Sequence, residues 1–268
     1  MSDSDFVLWN NGMTGKSPLK AKPLRNPGDS VDEEIDRQFN GRFLDVLLFA
    51  SGFCLLALFE WVGYLAHIPR QPVALSGAAL VAVAVAAWRF AHTRKQIRQL
   101  KLGRDGERCV GQFLERLRAS GAQVFHDIPG DGFNLDHVVI SPHGIYAVET
   151  KTFSKPWSKA KVTVEGSTLL VAGRVPDQNP MEQAAAAARW LEDRLAESTG
   201  KRFTVRGVVV FPGWFVEQRL PRGPVWVLEP KMLPGFIEQE SRSVATADVA
   251  LSSFHLSRYV RGAVEKAA

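Results

Sequence analysis

Two long apolar segments in the first third of the chain constrain its fold more than any other feature. They cover residues 43–66 and 73–91, and their charged residues, Asp45, Glu60 and Arg89, lie near segment ends. A helix needs roughly 20 apolar residues to cross the hydrocarbon core of a bilayer, and the two segments are of that order. We therefore expect two transmembrane helices, with a pair of buried core helices as the alternative.

The charges around these segments predict an orientation. The connector 67–72 is short and contains Arg70, so the two helices should form a hairpin. A run of basic residues accompanies the end of the second segment: Arg89, Arg94, Lys95, Arg98, Lys101, Arg104 and Arg108. Because basic residues are retained on the cytoplasmic side, we expect a multi-pass protein of a bacterial-type inner membrane with both termini in the cytoplasm.

Composition narrows the functional classes. Two cysteines, Cys54 and Cys109, provide neither a disulfide framework nor a cysteine-rich zinc site. The net charge of +5 is modest for 268 residues, so overall charge gives no warrant for nucleic-acid binding. The fragment Gly12 to Ser17 lacks the spacing and the preceding strand of a phosphate-binding loop. A functional argument must therefore come from a local group of residues.

The remaining parts of the chain differ in pattern. Residues 1–42 contain prolines and an acidic cluster without apolar periodicity, which predicts a disordered N-terminal tail. Residues 103–268 alternate between helical and strand periodicity, which predicts an α/β domain. The predicted helices lie at 105–119, 180–198, 231–239 and 246–262, and the predicted strands at 123–127, 133–140, 144–151, 162–164, 168–171, 205–211 and 225–228.

The stretch 134–151 carries the most chemical information. The turn signal 141–144 separates two apolar runs, so Ile140 should pair with Ile145 in an antiparallel hairpin. The same register sets Asp136 opposite Glu149 on one face of the sheet. Lys151 follows Glu149 by two residues and should point the same way. A slip of one residue would destroy this arrangement.

Two facing carboxylates favour a cation. They repel each other unless a proton or a metal ion lies between them, and oxygen ligands suit Mg²⁺, with Mn²⁺ as an alternative. A metal at Asp136 and Glu149 could activate water for attack on a phosphate, and Lys151 could orient that water or neutralise charge. The alternative is that the two acids only pair with basic neighbours.

Other polar residues are weaker candidates. The possible metal ligands outside the hairpin pair are His126, Asp127, Asp131 and His137, although we favour structural roles for the histidines. His137 should point away from Asp136, because neighbouring residues in a strand face opposite sides. A run of lysines follows Lys151, interleaved with Phe153 and Trp157, and predicts a phosphate-binding edge at Lys155, Lys159 and Lys161. A solvated loop is the alternative.

The hairpin motif resembles the Asp…Glu-x-Lys signature of restriction-endonuclease-like nucleases. The wider sequence is similar to the nuclease-related domain, NERD. The similarity lies in five blocks, at 103–107, 125–128, 134–137, 144–151 and 179–183. The resemblance implies an α/β fold with a restriction-endonuclease-like mixed central sheet flanked by helices, here preceded by the two-helix transmembrane hairpin of residues 43–92. It assigns the NERD domain to 103–225 and leaves 226–268 as a C-terminal helical extension packing on it.

The resemblance also assigns roles by position. Glu107 would approach the metal from the first helix of the domain, as a third ligand beside Asp136 and Glu149. Gln183 would touch the site or the DNA backbone from the long helix. From the residues alone, Glu107 is equally well a solvated acid at a helix start, and Gln183 an ordinary polar residue.

These patterns together predict an enzyme. We expect a membrane-anchored, Mg²⁺-dependent deoxyribonuclease whose partners are DNA and, through residues 43–91, the lipid bilayer. No small-molecule cofactor is expected. The alternative is a catalytically silent module that binds nucleic acid or a partner at the membrane.

Overall fold

The computed structural model describes residues 24–38, 44–66, 72–218 and 223–267. Its α-helices, numbered along the chain, are α1 (Asp29–Arg37), α2 (Leu44–Leu65), α3 (Pro72–Glu115), α4 (Pro180–Thr199), α5 (Leu233–Gln239) and α6 (Thr246–Ala267). Its strands are β1 (Gln123–Pro129), β2 (Asn134–Ser141), β3 (Gly144–Thr150), β4 (Lys161–Glu165), β5 (Thr168–Val171), β6 (Val205–Val210), β7 (Phe215–Gln218) and β8 (Trp226–Leu228). The mixed α/β class predicted from the sequence is confirmed.

Two helices are long and apolar enough to cross a membrane. The most apolar stretches of α2 and α3 have mean hydropathies of 2.0 and 1.8, and only 17% and 6% of them are buried. A core helix of a soluble protein would be mostly buried, so this exposure argues against the alternative of buried core helices. Where the helices meet, small side chains such as Ala50 and Ala79 are buried, and Trp61 Nε1 donates to Ser76 Oγ at 2.8 Å.

The sequence predicted two separate helices where the structure has one. Helix α3 runs without a break from Pro72, just before the apolar segment 73–91, to Glu115 in the domain. The intervening residues are mostly Lys, Arg, Gln and Leu, which are good helix formers, and they include no proline. A single rigid element therefore joins the apolar hairpin to the soluble domain.

Part of the predicted disordered tail is instead folded against the domain. Helix α1 lies along α3, and its Asp32 binds Arg104 Nη1 at 2.9 Å and Arg108 Nη2 at 2.5 Å. Gly111 on α3 leaves space for Pro27, which a β-carbon at that position would approach to 2.5 Å. The prediction of disorder is wrong for 24–38, while the rest of 1–42 lies outside the described residues.

The main sheet has the strand order β1-β2-β3-β6-β8, and a second sheet has the order β5-β4-β7. Strands β1, β2 and β3 are antiparallel neighbours, whereas β3, β6 and β8 run parallel, so the main sheet is mixed as expected. Helix α3 covers one face through Val110 and Leu114, and α4 covers the other through Ala188 and Leu191. Helix α4 lies so close to β6 that a β-carbon on Gly207 would be 2.8 Å from the Ala184 carbonyl oxygen.

The C-terminal part is more than a helical extension. Strand β8 pairs with β6 at the edge of the main sheet, so a boundary at 225 would divide that sheet. Helix α6 contributes Val249, Leu256 and Val260 to the cluster that contains Leu191. Residues 103–225 alone lack this edge strand and the apolar side chains of α6 that pack on the sheet, so the folded domain extends beyond residue 225.

Candidate active site

The hairpin of β2 and β3 has the register predicted from the sequence. Ile140 pairs with Ile145 and His137 with Val148, so the next position sets Asp136 against Glu149. The backbone N–H of Thr150 donates to Asp136 Oδ2 at 2.6 Å. This bond fixes the Asp136 carboxylate at the end of β3.

Strand alternation sets the direction of the site. Glu149 aligns with Val209 of β6, and Val209 belongs to an apolar cluster with Ala184 of α4. The side chain of Glu149 therefore lies on the α4 side of the sheet. Lys151 Nζ is 2.7 Å from Glu149 Oε1, and the two side chains are 25% and 15% exposed. The ion pair is thus partly withdrawn from solvent, where charge–charge interactions are stronger than at the surface.

Burial and mutual repulsion raise the pKa values of two acids in this region, Asp136 and Glu107. Burial, followed by the charges of Glu149 and Glu107, holds the pKa of Asp136 well above its ordinary value. Burial, then Asp127 and then Glu149 raise the pKa of Glu107 to about 7, against an opposing effect from Lys151. Acids with raised pKa values ionise fully only at a cost in free energy. A cation bound between them would lower that cost, so this group of acids favours cation binding.

The arrangement of the acids fits a metal held by the two carboxylates of Asp136 and Glu149 better than one held by these two and Glu107. Within the described residues, no three His, Cys, Asp or Glu side chains converge on one ion position. The predicted third ligand, Glu107, influences Asp136 electrostatically without completing such a group. Mg²⁺ commonly takes one or two carboxylates and keeps several waters, so Asp136 and Glu149 suffice for it.

Some polar atoms on β3, on the loop after it and on α4 are buried without a partner among the described residues. Among described atoms, Thr150 Oγ1, Thr152 Oγ1 and Gln183 Oε1 are buried and have no hydrogen-bond partner. Gln183 Nε2 donates to Gln178 Oε1 at 2.6 Å, which directs its oxygen elsewhere. Buried oxygens usually find a donor or a cation. Thr150 follows Glu149 on β3, so its side chain lies on the opposite face of the sheet, whereas Gln183 belongs to α4, the helix that covers the Glu149 face.

A glycine brings α3 close to the loop that follows β3. A β-carbon at Gly106 would overlap Thr152 Oγ1, so a larger residue there would require the Thr152 side chain or the helix to move. This close approach carries Glu107 to the region of Asp136 and Glu149. Sequence reasoning missed Thr152, although the glycine beside Glu107 was a signal for close packing.

The two histidines belong to a different network. His126 Nε2 is 2.9 Å from Glu115 Oε1, and His126 Nδ1 is 2.8 Å from His137 Nδ1. Burial is the largest cause of the lowered pKa of both rings, so both favour the neutral form. His137 contacts β1 rather than the Asp136 carboxylate, which agrees with the structural role favoured from the sequence.

The other two acids considered as ligands have protein partners. Asp127 is buried, accepts from the Ser30 N–H at 2.7 Å, and pairs with Arg25 Nε at 2.7 Å. Asp131 accepts from Trp190 Nε1 at 3.0 Å and is largely exposed. Asp127 therefore anchors the segment 24–38, and we assign neither acid to a metal.

Replacing Asp127 with Ala should release this segment. Arg25 would be left without its buried partner, and breaking such a pair costs about 3–5 kcal/mol. We expect a lower melting temperature and rapid proteolysis within 24–38. The matched control is Asp131→Ala, which removes an exposed ion pair worth at most about 1 kcal/mol. Equal protease resistance of the two variants would contradict the anchoring role.

The three lysines of the predicted phosphate-binding edge lie in two different parts of the structure. Lys161 lies on β4 and pairs with Glu217 Oε1 of β7 at 2.9 Å. Lys155 Nζ lies 5.4 Å from the centre of the Trp214 ring, and Lys159 is exposed in the turn before β4. Lys155 and Lys159 share the loop that leaves the candidate site, whereas Lys161 belongs to the second sheet.

One comparison with known proteins gives a family match. Residues 102–212 match the family model described as the nuclease-related domain, NERD. No curated protein and no solved structure matches the chain. The matched range contains the five residues predicted from the motif: Glu107, Asp136, Glu149, Lys151 and Gln183. The resemblance inferred from those motifs is thereby confirmed for residues 102–212, which carry the NERD match of this chain.

Proposed function

We propose that this protein is a membrane-anchored, metal-dependent nuclease that hydrolyses DNA phosphodiester bonds. The observation that carries the proposal is the hairpin register that sets Asp136 against Glu149, with the Lys151 ammonium 2.7 Å from the Glu149 carboxylate. Two acids that can hold a metal ion and a lysine that can stabilise negative charge suit phosphodiester hydrolysis, and the match to a nuclease-related domain supports the same reaction class.

Asp136 and Glu149 would hold the metal. A bound Mg²⁺ or Mn²⁺ would supply an activated water and stabilise the charge that develops on the phosphate. The raised pKa of Asp136 supports this assignment, because a cation would replace the proton that the buried acids otherwise favour. The Thr150 N–H keeps the Asp136 carboxylate in one orientation.

Lys151 would act on the phosphate and on the water. Its pairing with Glu149 holds the ammonium at the site before substrate arrives, so little reorganisation is needed during reaction. The buried Gln183 Oε1, which has no partner among the described atoms, could accept a hydrogen bond from the attacking water. The protein thereby provides charge, orientation and partial exclusion of solvent.

A cleavage assay tests this function directly. The full chain, purified in detergent, is incubated with supercoiled plasmid, linear duplex and single-stranded DNA, with Mg²⁺ or with a chelator. We expect cleavage of at least one form with Mg²⁺ and none with the chelator. DNA binding without cleavage under every metal condition would replace this proposal with that of a silent binding module.

The membrane anchor is part of the proposal. The exposed apolar surfaces of α2 and α3 support insertion, and the basic residues that follow residue 91 support a cytoplasmic domain. Because α3 is one helix from Pro72 to Glu115, the domain would be held at a fixed height above the bilayer.

Reporter fusions should show both termini in the cytoplasm. A reporter active only in the cytoplasm is fused before Met1 in one variant and after Ala268 in another, and both should be active. As a control, the same reporter inserted in the connector 67–72 should be inactive. An inactive reporter at either terminus, in a fusion that is expressed and inserted, would refute the orientation.

A further inference from the structure

Trp157 is a large aromatic side chain that remains in solvent on the loop that leaves the candidate active site. It is 56% exposed and lies in the loop 151–160, which runs from Lys151 to β4. It lies six positions after Lys151, so at full extension the two α-carbons are at most about 20 Å apart. An exposed tryptophan at this distance is within a few nucleotides of a phosphate bound at the site.

The rest of the loop is anchored. The Phe153 ring stacks on Phe211 with 6.1 Å between centroids, and its carbonyl accepts from Trp214 Nε1 at 3.1 Å. After the turn, the Ala160 N–H donates to the Trp157 carbonyl at 3.1 Å, and Ala160 is buried. The indole of Trp157 is therefore presented to solvent by a fixed backbone on both sides.

The charge around Trp157 has one sign. The sequence from 150 to 164 contains no Asp or Glu, whereas Lys151, Lys155 and Lys159 recur at every fourth residue. Lys155 lies over the Trp214 ring, and Lys159 is exposed beside Trp157. A surface on which lysines alternate with aromatic rings can bind a single-stranded nucleic acid, because the lysines contact its phosphates and the rings stack on its bases.

We propose that Trp157 stacks on an unpaired base next to the cleaved phosphate and gives the site a preference for single-stranded DNA. The inference rests on the proposed nuclease function and names its substrate class. In a duplex, each base already stacks on its neighbours. An indole can therefore stack on a duplex base only at an end of the duplex or where a base is flipped out. In a single strand, base–aromatic stacking strengthens binding without requiring a particular sequence.

Binding without metal tests this preference separately from cleavage. Fluorescence anisotropy measures the dissociation constants of the full chain in detergent and chelator for a labelled oligonucleotide, single-stranded or annealed to its complement. Trp157→Ala should weaken single-strand binding about tenfold, and Trp157→Phe should recover most of the loss. The control Phe254→Ala removes a ring of similar exposure, 58%, from α6 and should change neither constant.

Salt dependence separates stacking from charge. Trp157→Ala should leave the slope of log K against log salt unchanged, whereas Lys159→Ala should reduce it by about 0.7 for a single strand. Equal losses on both DNA forms, or no loss with Trp157→Ala, would overturn the proposal even if the protein cleaves DNA. A tenfold loss confined to single strands supports it, even if no cleavage is detected.

Discussion

Replacing Lys151 with Ala should reduce the cleavage rate at least about a hundredfold while leaving DNA binding nearly unchanged. The ammonium is held 2.7 Å from Glu149 in a partly buried position, where a preorganised charge contributes most to a charged transition state. Lys151→Arg should not restore the rate, because a planar fork with fixed charge cannot replace a compact ammonium in this space. Single-turnover rates and metal-free binding constants provide the measurement.

The matched control for Lys151 is Lys201→Ala. Lys201 is 56% exposed, follows the C-terminal end of α4 and pairs with Asp248 of α6, so its loss should leave the cleavage rate within about twofold. A wild-type rate in Lys151→Ala would remove lysine from the mechanism. A wild-type rate in Lys151→Arg would reduce its role to simple positive charge.

The metal-free protein should lose stability as pH rises from about 4.5 to about 7. The Glu107 carboxyl has its pKa raised from an ordinary 4.5 to about 7, so the folded state favours the protonated form. That contribution is fully present below pH 4.5 and is lost as pH rises through about 7. Glu107→Gln removes the titration, so the difference in melting temperature between wild type and Glu107→Gln should follow this pH window.

Mg²⁺ should reverse part of this loss at pH 8. At a concentration a hundred times the dissociation constant, the ion should raise the melting temperature by about 5–10 °C. Asp136→Asn should abolish the Mg²⁺ effect and should itself stabilise the metal-free form, because it removes one of the repelling charges. A Mg²⁺ shift that persists in Asp136→Asn would locate the ion elsewhere.

The core of the site could be predicted because its geometry is local. One turn, at 141–144, sets the register of β2 on β3, and the two-residue repeat of a strand then fixes which side chains share a face. Asp136, Glu149 and Lys151 depend on nothing more distant. The same reasoning correctly separated His137 from the acids.

The parts that the sequence did not predict depend on distant contacts. The segment 24–38 is held by Asp127, which lies almost a hundred residues later in the chain. Asp127 is within β1, and its backbone has a left-handed φ of 49°. The strand at 225–228 was predicted, but its parallel pairing with β6 was not, because nothing local to the three residues Trp226–Leu228 indicates which strand they join. The expected break between the apolar segment and Glu107 was wrong because the good helix formers around Gly103 and Gly106 outweigh the low helix propensity of the two glycines.

Cleavage by the wild-type protein and by Glu149→Ala, compared across Mg²⁺ and Mn²⁺ titrations, tests the central claim most directly. Both proteins are prepared in parallel, and their melting temperatures without metal show whether the variant is folded. Our account predicts that the wild-type rate rises with metal and saturates, whereas folded Glu149→Ala stays at background on every DNA form. Equal background rates for the two proteins, or equal metal-dependent cleavage by both, would contradict the assignment of the active site.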